Sequence, residues 1–506
     1  MTNPLFDALF APHLGKDTPF LHLEDGTTLT HDAFLRKAAQ IGGALVELDL
    51  SAGDRLALQV HKSPEALAVY AACVQKGIIF LPLNTGYTAS ELDYFIENSG
   101  AKLVICDPSK ENDIAPIAER TRAQVLTLDG SGDGSLIEAA NSQPETTSTT
   151  ARSGDDLAAF LYTSGTTGRS KGAMLTQDNL LSNAEVLKDY WAFTRADVLL
   201  HALPIFHTHG LFVASNVMLL CGGAMVFMPS FNPDTILKHM PRATSMMGVP
   251  TFYTRLLDHD GFTREAAAHM RLFISGSAPM LSETHEQFES LTGQRILERY
   301  GMTETNMNTS NPYEGARKAG TVGFALPGVD VKICDPESGA TLPQGEIGVI
   351  EVRGPNVFKG YWKMPEKTRE ELREDGFFIT GDLGQIDAGG YVQIVGRGKD
   401  LIISGGYNIY PKEIEMVIDD QLGVKESAVV GVPHPDLGES PVAVVVPDGA
   451  GPDIDQITSA CATELARFKH PRKIIILDAL PRNTMGKVQK NALREDYKTL
   501  FTNTES

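Results

Sequence analysis

The sequence predicts an α/β protein in which parallel α/β units give way to a β-rich stretch, a distorted barrel or small sheet, and then to a smaller α+β domain. Three observations carry this. From Arg55 onward, short apolar runs alternate with helical patterns, the mark of parallel α/β units. Between Gly323 and Val395, short β-rich runs are separated by Gly and Pro, as in Gly345-Glu346-Ile347-Gly348-Val349-Ile350-Glu351-Val352. Beyond Gly396-Arg397-Gly398-Lys399-Asp400, about a hundred residues of mixed α and β pattern remain, enough for a second domain. The 506 residues also exceed what one core holds.

Taken in order, residues 55–60 read as a strand, 64–75 as a helix, 78–81 as a short buried strand, 89–97 as a helix and 102–106 as a strand. Asp133-Gly134-Ser135-Leu136 reads as a turn, and the Ser/Thr-rich stretch 141–156 as a loop. A helix is expected over 177–190, a strand over 198–204, an apolar helix over 211–220 and a strand over 224–228. Residues 245–249 and 272–275 are buried strands, each followed by a turn: Pro250-Thr251-Phe252-Tyr253 and Gly276-Ser277-Ala278-Pro279. Ligands of open α/β sheets sit beyond the carboxyl ends of strands, so these turns are expected to wall a site. In the last part, 411–419 and 454–467 read as helices, and 424–432, 441–447 and 472–477 as strands.

Composition excludes several classes. A formal net charge of −20 argues against a nucleic-acid partner and an anionic membrane surface. No run approaches the ~18 apolar residues of a membrane span, and residues 1–10 lack the basic start and apolar core of a signal peptide. Cys73, Cys106, Cys221, Cys334 and Cys461 are scattered without a Cys-x-x-Cys pair, so buried reduced thiols in a cytoplasmic protein are expected.

The chain is organised around Tyr162-Thr163-Ser164-Gly165-Thr166-Thr167-Gly168-Arg169-Ser170-Lys171-Gly172, entered from the apolar run 157–161. Glycines bring backbone N–H groups close to a ligand, hydroxyls add donors, and Arg169 and Lys171 add positive charge. That mixture suits a polyphosphate. It is neither a Walker A loop nor a kinase Gly-rich loop. Four further motifs follow: Arg299-Tyr300-Gly301-Met302-Thr303-Glu304, Thr380-Gly381-Asp382, Ser404-Gly405-Gly406-Tyr407-Asn408-Ile409-Tyr410-Pro411, and Pro481-Arg482-Asn483-Thr484-Met485-Gly486-Lys487.

In order and content these motifs resemble those of the adenylate-forming superfamily, which contains acyl-CoA synthetases, peptide-synthetase adenylation domains and luciferases. The resemblance covers most of the chain. It implies a large N-terminal adenylation domain, residues 1–398, and a mobile C-terminal domain, residues 399–506, hinged at Lys399. It implies ATP and CoA as co-substrates and Mg²⁺ as cofactor. Nucleotide contacts would come from Thr163, Ser164, Gly165, Thr166, Thr167, Gly168 and Lys171. Ser277, Ala278, Tyr300, Gly301, Met302 and Thr303 would add to them, with Tyr300 beside the adenine. Thr163 and Glu304 would hold the metal, since a hard cation takes oxygen ligands. Asp382 would accept from the ribose hydroxyls, with Arg397 as its companion. Gly405, Gly406 and Tyr407 would line the pantetheine tunnel; the contacts to the CoA nucleotide stay open, with Arg467, Lys469 and Arg472 forming a surface cluster.

The resemblance makes Lys487, Glu304 and Thr163 the catalytic set. Lys487 would bridge the acid and the α-phosphate, where a compact ammonium offsets the repulsion of two anions. It also makes Lys487 a candidate target of a lysine acetyltransferase and deacetylase; native-source protein found always unmodified at Lys487 by mass spectrometry argues against that.

The acid is the remaining question. Arg299 directly precedes the Tyr-Gly-Met-Thr-Glu motif, and Arg255 follows Val249-Pro250-Thr251-Phe252-Tyr253-Thr254. This pair, with Glu298 and Thr305-Asn306-Met307-Asn308-Thr309-Ser310, is similar to the pattern of malonyl-CoA synthetases. A guanidinium fork matches the distal carboxylate of a short dicarboxylate. His207 and Ser277 would line the same pocket. The expectation is a malonyl-CoA and methylmalonyl-CoA synthetase. The alternatives are a synthetase for another short or branched acid, in which Arg299 is a structural ion-pair partner, a stand-alone adenylation protein, a luciferase-like enzyme, or a non-catalytic nucleotide-binding protein.

Overall fold

The computed structural model describes residues 2–163, 170–404, 407–435, 437–449, 451–465, 467–483 and 486–501, with the side chains of 407 and 408 left aside. The chain divides into two compact units. The first holds residues 1–319, 323–330 and 352–378, and the second holds 320–322, 331–351 and 379–506.

The first unit contains two sheets. The smaller has the strands Gln124–Thr127, Leu103–Cys106, Arg55–Gln59, Ile79–Pro82, Leu157–Thr163 and Lys171–Thr176 in spatial order. All neighbours are parallel except the last pair, an antiparallel hairpin. The larger runs from Phe324–Ala325 through Asn306–Ser310, Leu297–Met302, Leu272–Ser275, Ser245–Gly248, Val198–His201, Ala224–Phe227 and Pro19–His22 to Thr28–Thr30. Its interior is parallel and its ends antiparallel. Strands with both faces covered read as continuous apolar runs, which is why 79–82 and 103–106 were legible without alternation.

The same winding occurs twice. Arg55–Gln59 lies between Ile79–Pro82 and Leu103–Cys106, and Val198–His201 lies between Ala224–Phe227 and Ser245–Gly248. In each sheet the chain steps to one side, returns, and continues on the other. Such a reversal opens a crevice at the carboxyl ends of the strands, where ligands bind. In the larger sheet, the segments that follow His201, Gly248 and Ser275 begin there.

Local chemistry fixes the helices. Pro64–Lys76 starts with Ser63, whose hydroxyl accepts from Ala66 N–H at 3.1 Å, and ends at left-handed Gly77. Gln177–Tyr190 opens with a reciprocal Thr176–Asn179 cap. Several expectations are corrected. Residues 250–253 are not a turn but the start of the helix Pro250–Leu257, for which Pro250 supplies the fixed φ of a first turn. Residues 133–136 lead into the helix Ser135–Asn141, and Ser135 hydrogen-bonds Thr127. The strand expected over 198–204 stops at His201. The helix expected over 211–220 is a π-helical segment His209–Ser215 that continues as the α-helix Asn216–Cys221. Helices His31–Glu47, Ser282–Thr292 and Lys490–Tyr497 were not foreseen.

In the second unit, Val424–His434 and Gly438–Pro447 form a long antiparallel pair, with Lys473–Ile476 parallel to the latter. Helix Pro411–Asp419 packs its Ile414, Val417 and Ile418 in a core with Val429, Ala443 and Val445. A four-stranded sheet, Asp330–Cys334, Gly348–Arg353, Phe378–Ile386 and Val392–Arg397, accounts for the β-rich stretch. The α/β architecture with a small α+β C-terminal part is the one the sequence predicts.

Candidate active site

Arg299 lies on the strand Leu297–Met302, which follows Leu272–Ser275 in the larger sheet. It is only 3% exposed. Its Nε and Nη2 have no hydrogen-bond partner among the described residues. Burial pushes the guanidinium down to about 9, against a smaller opposing influence of Tyr253, so it stays charged at neutral pH. Its neighbour Glu298 does not neutralise it: Glu298 Oε1 lies 3.1 Å from Nδ1 of buried His285. Gly276 is the residue that makes room, since a Cβ there would stand 2.5 Å from the Arg299 guanidinium carbon.

Ser277, at a left-handed φ of 72°, puts its hydroxyl 3.2 Å from His209 Nδ1. His209 is buried, and its Nε2 has no hydrogen-bond partner among the described residues. Burial first, then the charge of Arg299, holds the ring well below the usual histidine range, so it is neutral. When Ser277 donates to Nδ1, Nε2 carries the ring proton with nothing to receive it. A cation and a neutral imidazole, both desolvated and each with a ring or guanidinium nitrogen lacking a partner among the described residues, therefore occur together. Buried polar groups are normally paired, and the exceptions call for a ligand or a function.

His207 is half-buried, and its Nδ1 lies 3.4 Å from the His209 N–H. Arg255 is exposed on its helix, with its guanidinium over the Phe231 ring at 5.0 Å. Of the two arginines, only Arg299 is desolvated. His209 stands two residues from His207, and the sequence alone gives no sign of which of the two is buried.

Tyr300, Gly301 and Met302 end the Arg299 strand, and Thr303 and Glu304 follow in a turn closed by Thr305 N–H to the Met302 carbonyl at 3.1 Å. Glu304 is buried, which raises its carboxyl above the ordinary value. The Tyr361 hydroxyl is 3.2 Å from Glu304 Oε1 and 2.6 Å from Glu371 Oε2. Lys171 Nζ reaches Tyr361 Oη and both Glu371 oxygens at 3.1 Å. A hydroxyl has one proton, and the shorter contact directs it to Glu371. Glu304 is left as a buried carboxylate short of positive charge. Tyr361 and Glu371 belong to none of the sequence motifs.

Thr163 and Lys171 are paired across the hairpin that brackets the phosphate loop, and Thr163 Oγ1 is 3.4 Å from the Lys171 carbonyl. Ser164, Gly165, Thr166, Thr167, Gly168 and Arg169 lie outside the described residues, as do Gly405 and Gly406 and the side chain of Tyr407. Ala278 is half-buried beside Ser277.

In the second unit Asp382 is buried within the strand Phe378–Ile386, not at a turn, and its Oδ1 takes a 2.9 Å ion pair from Arg397 Nε. Lys399 sits in the short turn Gly398–Asp400, and burial, then Arg397, lowers its pKa. Asp400 pairs with Arg494. Lys487 closes a tight loop with Asn483: its N–H donates to Asn483 Oδ1 at 2.9 Å and its carbonyl accepts from Asn483 N–H at 2.9 Å. Flanking ion pairs, Arg482 with Glu426 and Lys490 with Glu415, anchor that loop to the strand Val424–His434 and the helix Pro411–Asp419.

A sequence profile of the AMP-binding enzyme family matches residues 11–362, and one of the AMP-binding enzyme C-terminal domain matches residues 413–487. The chain belongs to this family of AMP-binding enzymes and is an adenylate-forming CoA ligase, an acid–thiol ligase. It is similar to the ATP-bound MatB crystal structure from Rhodopseudomonas palustris: 58% identity, a TM-score of 0.97, and coverage of 99% of this chain and 100% of that one. It is 34% identical over 477 residues to a malonate–CoA ligase from Arabidopsis thaliana, covering 88% of this chain and 78% of that protein. It is also 35% identical over 499 residues to a feruloyl-CoA synthase from an Amycolatopsis species, covering 98% of each. No described helix is long and apolar enough to cross a membrane.

Proposed function

We propose that this ligase activates malonate, and methylmalonate as a close second. The observation that carries the reading is the desolvated Arg299 guanidinium, unpaired at two nitrogens, close enough to His209 to depress its pKa. A monocarboxylate has nothing to offer such a site once its single acid group faces ATP. A dicarboxylate has a second carboxylate, which a guanidinium takes as a planar fork. The structural alternative, Arg299 as an ion-pair partner, is disfavoured because Glu298 is engaged by His285.

In the first half-reaction a malonate carboxylate oxygen attacks the α-phosphorus of ATP. The bond to pyrophosphate breaks and malonyl-AMP forms. Lys487 would stand by the two converging anions, where its ammonium offsets their repulsion. In the second, residues 399–506 reorient about Lys399. The CoA thiol loses its proton and attacks the acyl carbon, and AMP leaves. Positioning and electrostatics suffice, so no covalent enzyme intermediate is required. The donor set fits Mg²⁺: Glu304 is a buried carboxylate under-supplied with positive charge, and Thr163 adds a hydroxyl. The ion would neutralise phosphate charge. Asp382 and Arg397 serve the ribose and phosphates, and Gly405, Gly406 and Tyr407 the pantetheine arm.

The test is CoA-dependent AMP release with ATP and Mg²⁺, run on malonate, methylmalonate, acetate, butyrate and ferulate. Malonate is expected to lead acetate and butyrate by about 10⁴, because those acids leave a buried charge unpaired. Methylmalonate is expected within about 1–3 kcal/mol of malonate, the range one methyl group commands. Acetate, butyrate or ferulate turning over as well as malonate refutes the assignment.

A further inference from the structure

Lys62, just past the carboxyl end of Arg55–Gln59 in the smaller sheet, reaches the segment that follows His201 in the larger one. Lys62 lines a cleft with Pro204, Ile205 and Phe206, and its ammonium leaves the cleft for the interior. Nζ lies 2.8 Å from His201 Nδ1, 2.8 Å from the His201 carbonyl and 2.9 Å from the Leu203 carbonyl. The Phe227 ring is 4.3 Å beneath it. The other nitrogen of His201, Nε2, is 2.8 Å from the Gly210 carbonyl. His201 and Leu203 are fully buried.

These contacts fix the proton count. Three carbonyl oxygens can only accept, so two protons of Lys62 and one on His201 Nε2 are committed to them. A neutral amine beside a neutral imidazole has just those three, which would leave two lone pairs facing each other at 2.8 Å. A fourth proton must lie on the N···N line, and the pair carries one positive charge. Burial holds both groups well below their usual values, the charge of Lys62 lowers His201 further and Glu24 opposes at Lys62, yet the carbonyl cage keeps the shared proton in place.

The carbonyls held this way bracket one segment. Leu203 opens and Gly210 closes the stretch that carries His207, Thr208 and His209. Its ends are also pressed together, since a Cβ on Gly210 would stand 2.1 Å from the Pro204 carbonyl oxygen. We propose that Lys62 is a positioning residue for acid recognition: through His201 it clamps both ends of residues 203–210 and so sets His209 against Ser277 and Arg299. Lys62 touches neither acid nor nucleotide in this role. The proposal rests on the acid-site reading above, but not on which acid is bound.

The test uses the full chain and whichever acid the wild type turns over best. Lys62→Met fills similar space without donors, and Lys62→Gln keeps two N–H donors without the charge. His201→Gln breaks the relay at its other member. Lys62→Met is expected to raise KM for the acid about tenfold or more, with KM for ATP and kcat within about threefold. Lys62→Gln is expected to recover part of the loss. In ¹⁵N-histidine NMR, with His201 assigned through His201→Gln, the His201 Nδ1 resonance is expected to move in Lys62→Met. An acid KM within about twofold of wild type in both Lys62 variants overturns the proposal. So does an equal rise in the KM values of acid and ATP, which marks general structural damage. Where Lys62→Met does not fold, Lys62→Gln and His201→Gln decide by the same ratio. Acetate, butyrate or ferulate turning over as well as malonate overturns the substrate assignment and leaves this test intact.

Discussion

Replacing Arg299 by Met keeps most of the side-chain volume and removes the guanidinium. In the proposed complex the distal carboxylate of malonate then loses two charge-assisted hydrogen bonds, worth about 1.5–3 kcal/mol each. The sum, about 3–6 kcal/mol, converts to a loss of about 10²–10⁴ in kcat/KM for malonate. The unliganded protein is expected to behave differently. Wild-type Arg299 is a buried charge with two N–H groups unpaired, so its removal relieves a desolvation cost. The melting temperature of the variant should hold or rise. Acetate and butyrate, poor substrates of the wild type, should lose little or gain. The measurements are AMP release across the acid panel and thermal unfolding without substrate. A malonate loss smaller than about threefold refutes the anchor role. A marked fall in melting temperature with equal losses on every acid shows that Arg299 is a structural residue instead.

Three further outcomes are expected. His209→Leu removes the unsatisfied imidazole donor and should lower kcat/KM for malonate about tenfold to a hundredfold, with KM for ATP unchanged; an unaltered malonate KM refutes its place in the acid pocket. Lys487→Ala should lower adenylation, read as pyrophosphate release, by about 10²–10³, while supplied malonyl-AMP still reacts with CoA; equal loss of both steps contradicts a role confined to the first. Asp419 is pushed up to about 6, chiefly by burial and also by Glu415, with Lys412 and Ser427 opposing. The folded state therefore binds the proton more tightly than the unfolded one, and this group's favourable contribution is full below the ordinary carboxyl value and is lost as pH rises through about 6. Asp419→Asn should raise the unfolding free energy of the transition containing the C-terminal unit, read by denaturant titration, by about 1–3 kcal/mol at pH 7.5, and give no gain at pH 4. A gain that is the same at both pH values refutes the burial account.

Much of the fold was legible because buried parallel strands and capped helices are local signals. The helices Gln177–Tyr190 and Pro411–Asp419 have the bounds the pattern predicts. The misplaced elements are those where backbone hydrogen bonding is unusual. The π-helical stretch His209–Ser215 keeps an apolar surface on all sides, so its periodicity gives no warning of the extra residue per turn. Pro250 reads as a turn in the sequence because proline marks both turns and first helical positions. Within the candidate site, Arg299 and Glu304 could be singled out from motif position alone. That Arg299 lacks a partner could not, because whether Glu298 faces it or faces His285 depends on which side of a strand each residue takes and on what packs there. Tyr361 and Glu371 are set beside Lys171 by pairing between segments almost two hundred residues apart, for which the sequence offers no spacing to read.

The overall charge of −20 and the anionic substrates pull in opposite directions, and the structure separates the two scales on which charge acts. Surface charges are screened over about 8 Å at physiological ionic strength, so the acidic exterior costs an approaching dianion little once it is inside a crevice. Inside, the balance reverses. Arg299 is withdrawn from water with two unpaired nitrogens, and the Lys62–His201 pair is held to one positive charge by three carbonyls, with no carboxylate among its direct contacts. Low local dielectric strengthens these cations toward an anion and makes them costly without one. On the proposed reading, Arg299 carries an electrostatic strain that a bound carboxylate would relieve and a methyl or phenyl group would not. On that reading, selection for a dicarboxylate would follow from that asymmetry, and variants that neutralise Arg299 are predicted to lose selectivity before they lose turnover of monocarboxylates.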